Sequence, residues 1–270
     1  MFARLPAAVV LMVVVAAAAV SDTATAPVTT EASLPAAEFQ SQPATPAASG
    51  PMTPEQIIAE FRRPQNSTGN VADGVEAVTG ARGWMSPDMK PIGPKKIVGR
   101  AWTAALRPIL KNDDRAYPNY QLQILDEAPA GSVLVYVVEG TNDIAAMGNL
   151  MATTAQVRGL EATVIDGAVR DVSELREIGH QVFARRISPA TSVGRMVSVS
   201  KQTPVQCGDV TVNPGDYIVG DQDGVVVVPQ QAAEKVVAML KDYDARESKM
   251  VEIIKREKSM LKALEIYGRY

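Results

Sequence analysis

Two near-continuous apolar runs dominate the middle of the chain, SVLVYVVE (residues 132–139) and ATVIDGAV (residues 162–169). Neither shows the polar–apolar alternation of a half-exposed strand, so both read as strands covered on two faces. Between them, GNLMATTAQVRGL (148–160) carries its apolar residues at helical spacing. After them come a short helix, VSELREIG (172–179), and a third strand, QVFARRI (181–187). Strand–helix–strand–helix–strand with short connections predicts parallel strands clothed by helices.

The flanks extend this pattern. TPEQIIAEF opens a helix with Thr53 as N-cap, Pro54 at the first helical position and Gln56 three residues after the cap. NVADGVEAV (70–78) predicts a second helix stopped by Gly80, KKIVGRAWTAAL (95–106) a strand, and YQLQILDEA (120–128) a helix. From residue 195 to 229 short strands are punctuated by Asn213-Pro214-Gly215 and Asp223-Gly224, a β-rich antiparallel signal. The chain finishes in one long charged amphipathic helix over 230–267, suited to packing on the domain or on another subunit. The class is α/β with a β-rich layer.

The first fifty residues stand apart. Arg4 precedes fourteen apolar residues, Ala7 to Val20, with small residues at the exit. A bilayer span needs about twenty, so residues 1–20 read as a secretory signal cleaved near Ala19–Ser21, with an N-terminal membrane anchor as the alternative. The expected location is exported, periplasmic or extracellular, with no stable membrane span. Residues 21–51, rich in Ala, Thr and Pro, read as a disordered tether. Residues 52–230 form the expected catalytic domain and 231–270 the C-terminal helix.

Composition narrows the chemistry. The 270 residues carry a net charge of −3 and no basic stripe, which argues against nucleic acid. There is one cysteine, Cys207, so no internal disulfide forms, and one histidine, His180, read as structural or solvent-facing. With no P-loop, no dinucleotide fingerprint and no zinc-type ligand set, any metal would be a hard cation held by carboxylate and water.

What remains converges on two adjacent strand ends. In parallel α/β sheets ligands bind where strands end and helices begin. The segment GTNDIAAMGNLM leads from the strand at 132–139 into the helix at Gly148, and DGAVRDVSE leads from the strand at 162–169 into the next helix. The bare N–H groups at a helix start, Arg170 as a bidentate partner, and Asp171 as a Mg²⁺ ligand together suit a keto acid. The same letters allow a structural reading: Asp171 and Glu174 fit a capping box, Arg170 an ordinary surface pair, and Asp166-Gly167 a tight bend at the strand's end.

GNLMATTAQVRGLEATVIDGAVRDVSEL resembles the central signature of the RraA-like family, which includes 4-hydroxy-4-methyl-2-oxoglutarate aldolases and the regulator of ribonuclease E activity, and whose members have also been labelled demethylmenaquinone methyltransferase-like. The similarity continues through TGNVADGVEAVTG, KKIVGRAWTA and VQCGDVTVNPGDYIVGDQDGVVVVP, covering about 54–257. It implies a single swivelling β/β/α-type domain that assembles as a homotrimer or a hexamer of two trimers, with sites between subunits. By the resemblance, Arg170 binds the pyruvoyl carboxylate and Asp171 holds Mg²⁺ or Mn²⁺. Gly148, Asn149, Leu150 and Met151 form the substrate cradle, and Glu174 belongs to the aldolase pattern. A neighbour's C-terminal glutamate, best matched by Glu247, with Glu252 and Glu257 as alternatives, completes the site. Asn149 departs from the acidic residue usual there. The implied activity is a metal-dependent lyase, an aldolase or oxaloacetate decarboxylase that releases pyruvate; the alternative is a non-catalytic regulatory protein.

Overall fold

A computed structural model describes residues 50–93 and 95–268. The expectations for residues 1–20 and for the 21–51 tether, apart from its last two residues, lie outside the described residues.

The chain begins with α1 (Pro54–Arg62) and α2 (Thr68–Thr79), followed by β1 (Lys90–Pro91) and the long β2 (Ile97–Pro108). Next come α3 (Tyr120–Glu127), β3 (Val133–Val138), β4 (Ala145–Met147), α4 (Asn149–Val157), β5 (Ala162–Val169), α5 (Val172–Ile178) and β6 (Gln181–Ile187). The β-rich segment supplies β7 (Met196–Lys201), β8 (Val205–Cys207), β9 (Val210–Val212), β10 (Tyr217–Gly220) and β11 (Val225–Val228). Two helices close the chain, α6 (Ala233–Glu257) and α7 (Met260–Tyr267).

The predicted parallel core of β3, β5 and β6 is present, and β2 joins it in parallel beside β3. The first half of β2 pairs antiparallel with β10, and its second half with β7, so the sheet branches at this strand into a mixed, curled assembly. β8 and β9 form a separate hairpin.

Burial follows from the strand period of two. Every residue of β3 is buried. Leu134, Tyr136 and Val138 point into the core beneath α3, α4 and α5, and Val133, Val135 and Val137 point into the core under the β8–β9 hairpin. That double covering is why the run 132–139 carries no polar alternation. A third apolar layer packs α1, α2 and α6 against β10 and β11. At the start of α1, Thr53 Oγ1 accepts the Gln56 N–H (3.3 Å) and Gln56 Oε1 accepts the Thr53 N–H (2.8 Å), the reciprocal cap its sequence predicts.

The C-terminal segment departs from expectation, being two helices rather than one. Lys258 turns left-handed at φ 53°, and Ser259 caps α7 by accepting the Lys262 N–H at 3.2 Å. The break folds α7 back so that Ala263 packs on Met250 and Ile253, burying an apolar stripe that a straight helix would leave in water. Among the described residues no helix is long and apolar enough to cross a membrane.

Candidate active site

β5 ends at Val169, and the next two residues are placed by backbone rather than by chance. Arg170 donates its N–H to Met147 O at 3.1 Å, which fastens the strand end to β4. β4 is a three-residue strand the apolar pattern does not signal; it lies within the connection expected to be loop and pairs parallel with β5. Gln121 on α3 braces it, its side-chain amide donating to Ala146 O while its backbone carbonyl accepts the Tyr136 hydroxyl at 3.0 Å.

Asp171 adopts φ 57°, ψ 41°, the left-handed region that Asp and Asn enter more readily than most residues. This kink takes its side chain away from α5 and towards α4. Its Oδ2 accepts the Asn149 N–H at 3.0 Å, and Arg170 Nε lies 3.5 Å from the same oxygen. The two charges therefore share one place because the strand has ended, with the backbone turned between them.

The expected capping box does not form. Asp171 occupies the N-cap position of α5, but its side chain makes no cap hydrogen bond there, and Glu174 is exposed. The Asp171 carbonyl instead accepts the Leu175 N–H at 2.9 Å, so the helix starts on backbone alone. The left-handed turn is the physical reason: it aims the carboxylate at a different helix.

Gly148 makes this approach possible. Its backbone is extended (φ −138°), so φ is not what selects glycine. A Cβ there would stand 2.4 Å from Asp171 Oδ2 and 2.9 Å from Arg170 Nε, distances no real side chain tolerates. Gly148, the N-cap of α4, has no side chain to offer, and among the described residues the Leu150 and Met151 N–H groups take no acceptor. These orphan donors open on a cavity of about 300 Å³ lined by Gly148, Asn149, Leu150, Met151 and Arg170, and across from them by Asn119, Gln121, Ser192 and Val193.

The structure thus brings together Gly148, Asn149, Leu150, Met151, Arg170 and Asp171. Asp171 stands behind the cavity lining, tied to it through the Asn149 N–H and Arg170, and Glu174 is outside it; within one chain Glu247 is not part of it either: its Oε2 accepts from Asn70 Nδ2 at 3.3 Å, joining α6 to α2. The wall formed by residues 191–193 lies in a connection whose sequence carries no periodic signal.

A second charged group, behind the strand end, also escapes a sequence reading. Arg185 on β6 donates to both Asp166 and Asp88, the latter at 2.8 Å, and Asp166 Oδ2 accepts the Gly208 N–H at 2.7 Å. Asp166-Gly167 is not a tight bend. β5 runs on to Val169 with a register shift against β6 between Ile165 and Ala168, and a Cβ on Gly167 would meet Val138 Cγ2 at 2.6 Å. The bulge turns Asp166 onto Arg185. Cys207 is buried, and burial pushes its thiol well above the usual range. His180 is buried rather than solvent-facing, and shares a 2.9 Å hydrogen bond with Thr163.

Among the described residues no three His, Cys, Asp or Glu side chains cluster as a metal cage. The donor set at the strand end is one carboxylate with Oδ2 already engaged by an amide. That suits a hard cation such as Mg²⁺, which keeps most of its waters and takes one or two carboxylates, and does not suit zinc.

The chain matches 141 residues of a 4-hydroxy-4-methyl-2-oxoglutarate aldolase from Thermus thermophilus at 30% identity, 52% of this chain and 84% of that protein. It matches 172 residues of protein DlpA from Legionella pneumophila at 32% identity, 63% of this chain but only 27% of that much longer protein. A crystal structure of an uncharacterized protein from Pseudomonas syringae superposes with a TM-score of 0.70 at 26% identity, covering 83% of this chain and 99% of that one. The strand end, the uncapped α4 and the Arg170–Asp171 turn all fall inside residues 68–227, the span matched by the RraA-like family model described as Aldolase/RraA, and the chain belongs to that family.

Proposed function

We propose that the chain is a divalent-metal-dependent carbon–carbon lyase that releases pyruvate from a 2-oxo dicarboxylic acid, by aldol cleavage of a 4-hydroxy-4-methyl-2-oxoglutarate-type substrate or by decarboxylation of oxaloacetate. The observation that carries this reading is the convergence of Arg170, the free N–H groups of Leu150 and Met151, and the Asp171 carboxylate on one strand end. The Thermus relative named as an aldolase supports the reaction class.

The residues divide the work by their chemistry. The Arg170 guanidinium offers the planar fork that a carboxylate accepts in a bidentate pair. The α4 amides add donors at the positive end of a helix, which favours the same anion. Gly148 keeps the cradle open, since any side chain there would displace both charged groups. Asp171 is the residue that would hold Mg²⁺ or Mn²⁺, through Oδ1 or through water. The cation's contribution is Lewis acidity for the charge that grows on the keto oxygen as the carbon–carbon bond breaks.

The rim favours a second copy of the chain. Leu150 and Val193 at the cavity, with Leu122 beside them, are large apolar residues left in water, with exposures of 79%, 78% and 41%. This supports assembly as a homotrimer or a pair of trimers, with a C-terminal glutamate such as Glu247 reaching the neighbour's site. The N-terminal apolar stretch supports export.

The test follows pyruvate release from oxaloacetate and from 4-hydroxy-4-methyl-2-oxoglutarate by the purified protein, with Mg²⁺ and with chelator. Release that needs the metal and disappears in Arg170→Ala is expected. Release that survives chelation sinks the mechanism, and no release from either compound shifts the function to binding and regulation.

A further inference from the structure

A second cavity lies at the opposite end of α5. It measures about 260 Å³ and is lined by Ile92, Gly93, Lys95, Arg176, His180 and Gln181, among others. His180 is only 2% exposed, and its Nδ1 is buried with no hydrogen-bond partner among the described residues. Its Nε2 is engaged with the Thr163 hydroxyl, which has no other partner among the described residues. The arrangement that uses the Thr163 proton has the hydroxyl donating to Nε2, which puts the ring N–H on Nδ1. An unpaired donor inside a protein is destabilising, so a polar group that reaches it has a stabilising role to fill.

The surrounding charge specifies what that group is. Lys95 and Arg176 are the charged residues of the lining, both cationic, and neither forms an ion pair among the described residues. Lys95 is held at the backbone, its N–H donating to Gln181 Oε1 at 3.0 Å, and the Gln181 amide is spent on Gly179 O at 2.8 Å. Arg176 alone has an ordinary explanation, because a cation in the last turn of a helix offsets the carbonyl end. That explanation needs neither Lys95 on the facing loop nor an unpaired buried imidazole.

We propose that this cavity is a binding site for a small oxyanion, a phosphate or a short carboxylate, held by Arg176 and Lys95 with His180 at its floor. Two cationic side chains, a buried imidazole beside them and no carboxylate are the composition an oxyanion requires and a cation or an apolar ligand does not. The site is separate from the Arg170 strand end, since the one lies where α5 begins and the other where it stops.

His180 is the chain's only histidine, so ¹⁵N-labelled imidazole gives a single reporter inside the cavity. The full chain is titrated with inorganic phosphate and, separately, with acetate at constant ionic strength. A saturable shift of the His180 ring signals is expected, with a dissociation constant of about 1 mM or tighter for the better anion. It should weaken at least about tenfold in Arg176→Gln and in Lys95→Gln, both exposed positions where the fold tolerates the change. It should persist in Arg170→Ala, which separates this site from the proposed active site. Saturation by one anion alone names the class. A shift that does not saturate with either anion, or that is unaltered in both cavity variants, overturns the proposal.

Discussion

Asp171 Oδ2 accepts the backbone N–H of Asn149 at 3.0 Å, so the residue that follows β5 and the residue that opens α4 are held as one unit across 22 positions of sequence. The bond removes one orphan donor from α4 and leaves the next two, on Leu150 and Met151, facing the cavity. It also fixes the carboxylate beside Arg170, whose Nε is 3.5 Å away. A substitution at this junction therefore acts on two strand ends at once.

Asp171→Asn separates the carboxylate's charge from its structural bond. Asn accepts the left-handed backbone, and its amide oxygen can still take the Asn149 N–H. The loss of a charged acceptor should cost only about 1 kcal/mol in urea unfolding, while pyruvate release should fall below detection. Asp171→Ala should add a further cost of about 1–2 kcal/mol, because Ala resists φ 57°. Pyruvate release that persists in the Asn variant would remove Asp171 as the cation ligand.

Gly148→Ala tests the close approach without backbone strain. The extended φ of −138° suits alanine, yet its Cβ would meet Asp171 Oδ2 at 2.4 Å. The charged pair must move by a fraction of an ångström or more, and displacements near 1 Å in an active site cost about 100-fold in rate. A fall in kcat of about 10- to 100-fold is expected, with thermal unfolding close to that of the parent. Full activity in this variant would show that the cradle does not need the room glycine gives.

The strand at 162–169 was legible to the residue because its apolar run meets Arg170 at the point where both faces stop being covered. The α1 cap was equally legible, since Thr53 and Gln56 form a local device that needs no partner elsewhere. Elsewhere tertiary geometry overrides local chemistry. Asp171-x-x-Glu174 has the letters of a capping box, but the left-handed turn at Asp171 sends the carboxylate to α4. The Arg185 group was hidden because Asp88, Asp166 and Arg185 come from three separate segments and no spacing connects them. The break at Lys258 had one local sign, Ser259 as a cap, masked by continuous helical periodicity on both sides.

Arg185→Ala should destabilise the fold rather than alter the chemistry directly. Asp166 is 15% exposed at its side chain and would lose its cation, keeping only the Gly208 N–H. The expected loss is about 2 kcal/mol in urea unfolding, below the range for fully buried pairs because Asp88 remains a third exposed. Arg185→Lys should recover part of this, since a single ammonium cannot reproduce the fork that spans two carboxylates. Unfolding midpoints that match the parent in both variants would show that the group is held by its surroundings alone.

The buried His180 makes stability depend on pH in a defined window. Burial pushes its pKa down from 6.5 to about 4, so the folded protein keeps the ring neutral where the unfolded chain would protonate it. Between these values the unfolded state binds the extra proton, and unfolding free energy must rise with pH. The contribution is complete above pH 6.5 and is lost progressively as pH falls towards 4, amounting to up to about 3 kcal/mol from the pKa difference. Because this is the chain's only histidine, His180→Phe should flatten the urea-unfolding profile across this window while leaving the steeper carboxylate-driven loss below it. Parallel profiles for the parent and the variant would mean that the ring gains its proton in the folded protein at the same pH as in the unfolded chain, and that burial does not hold it neutral.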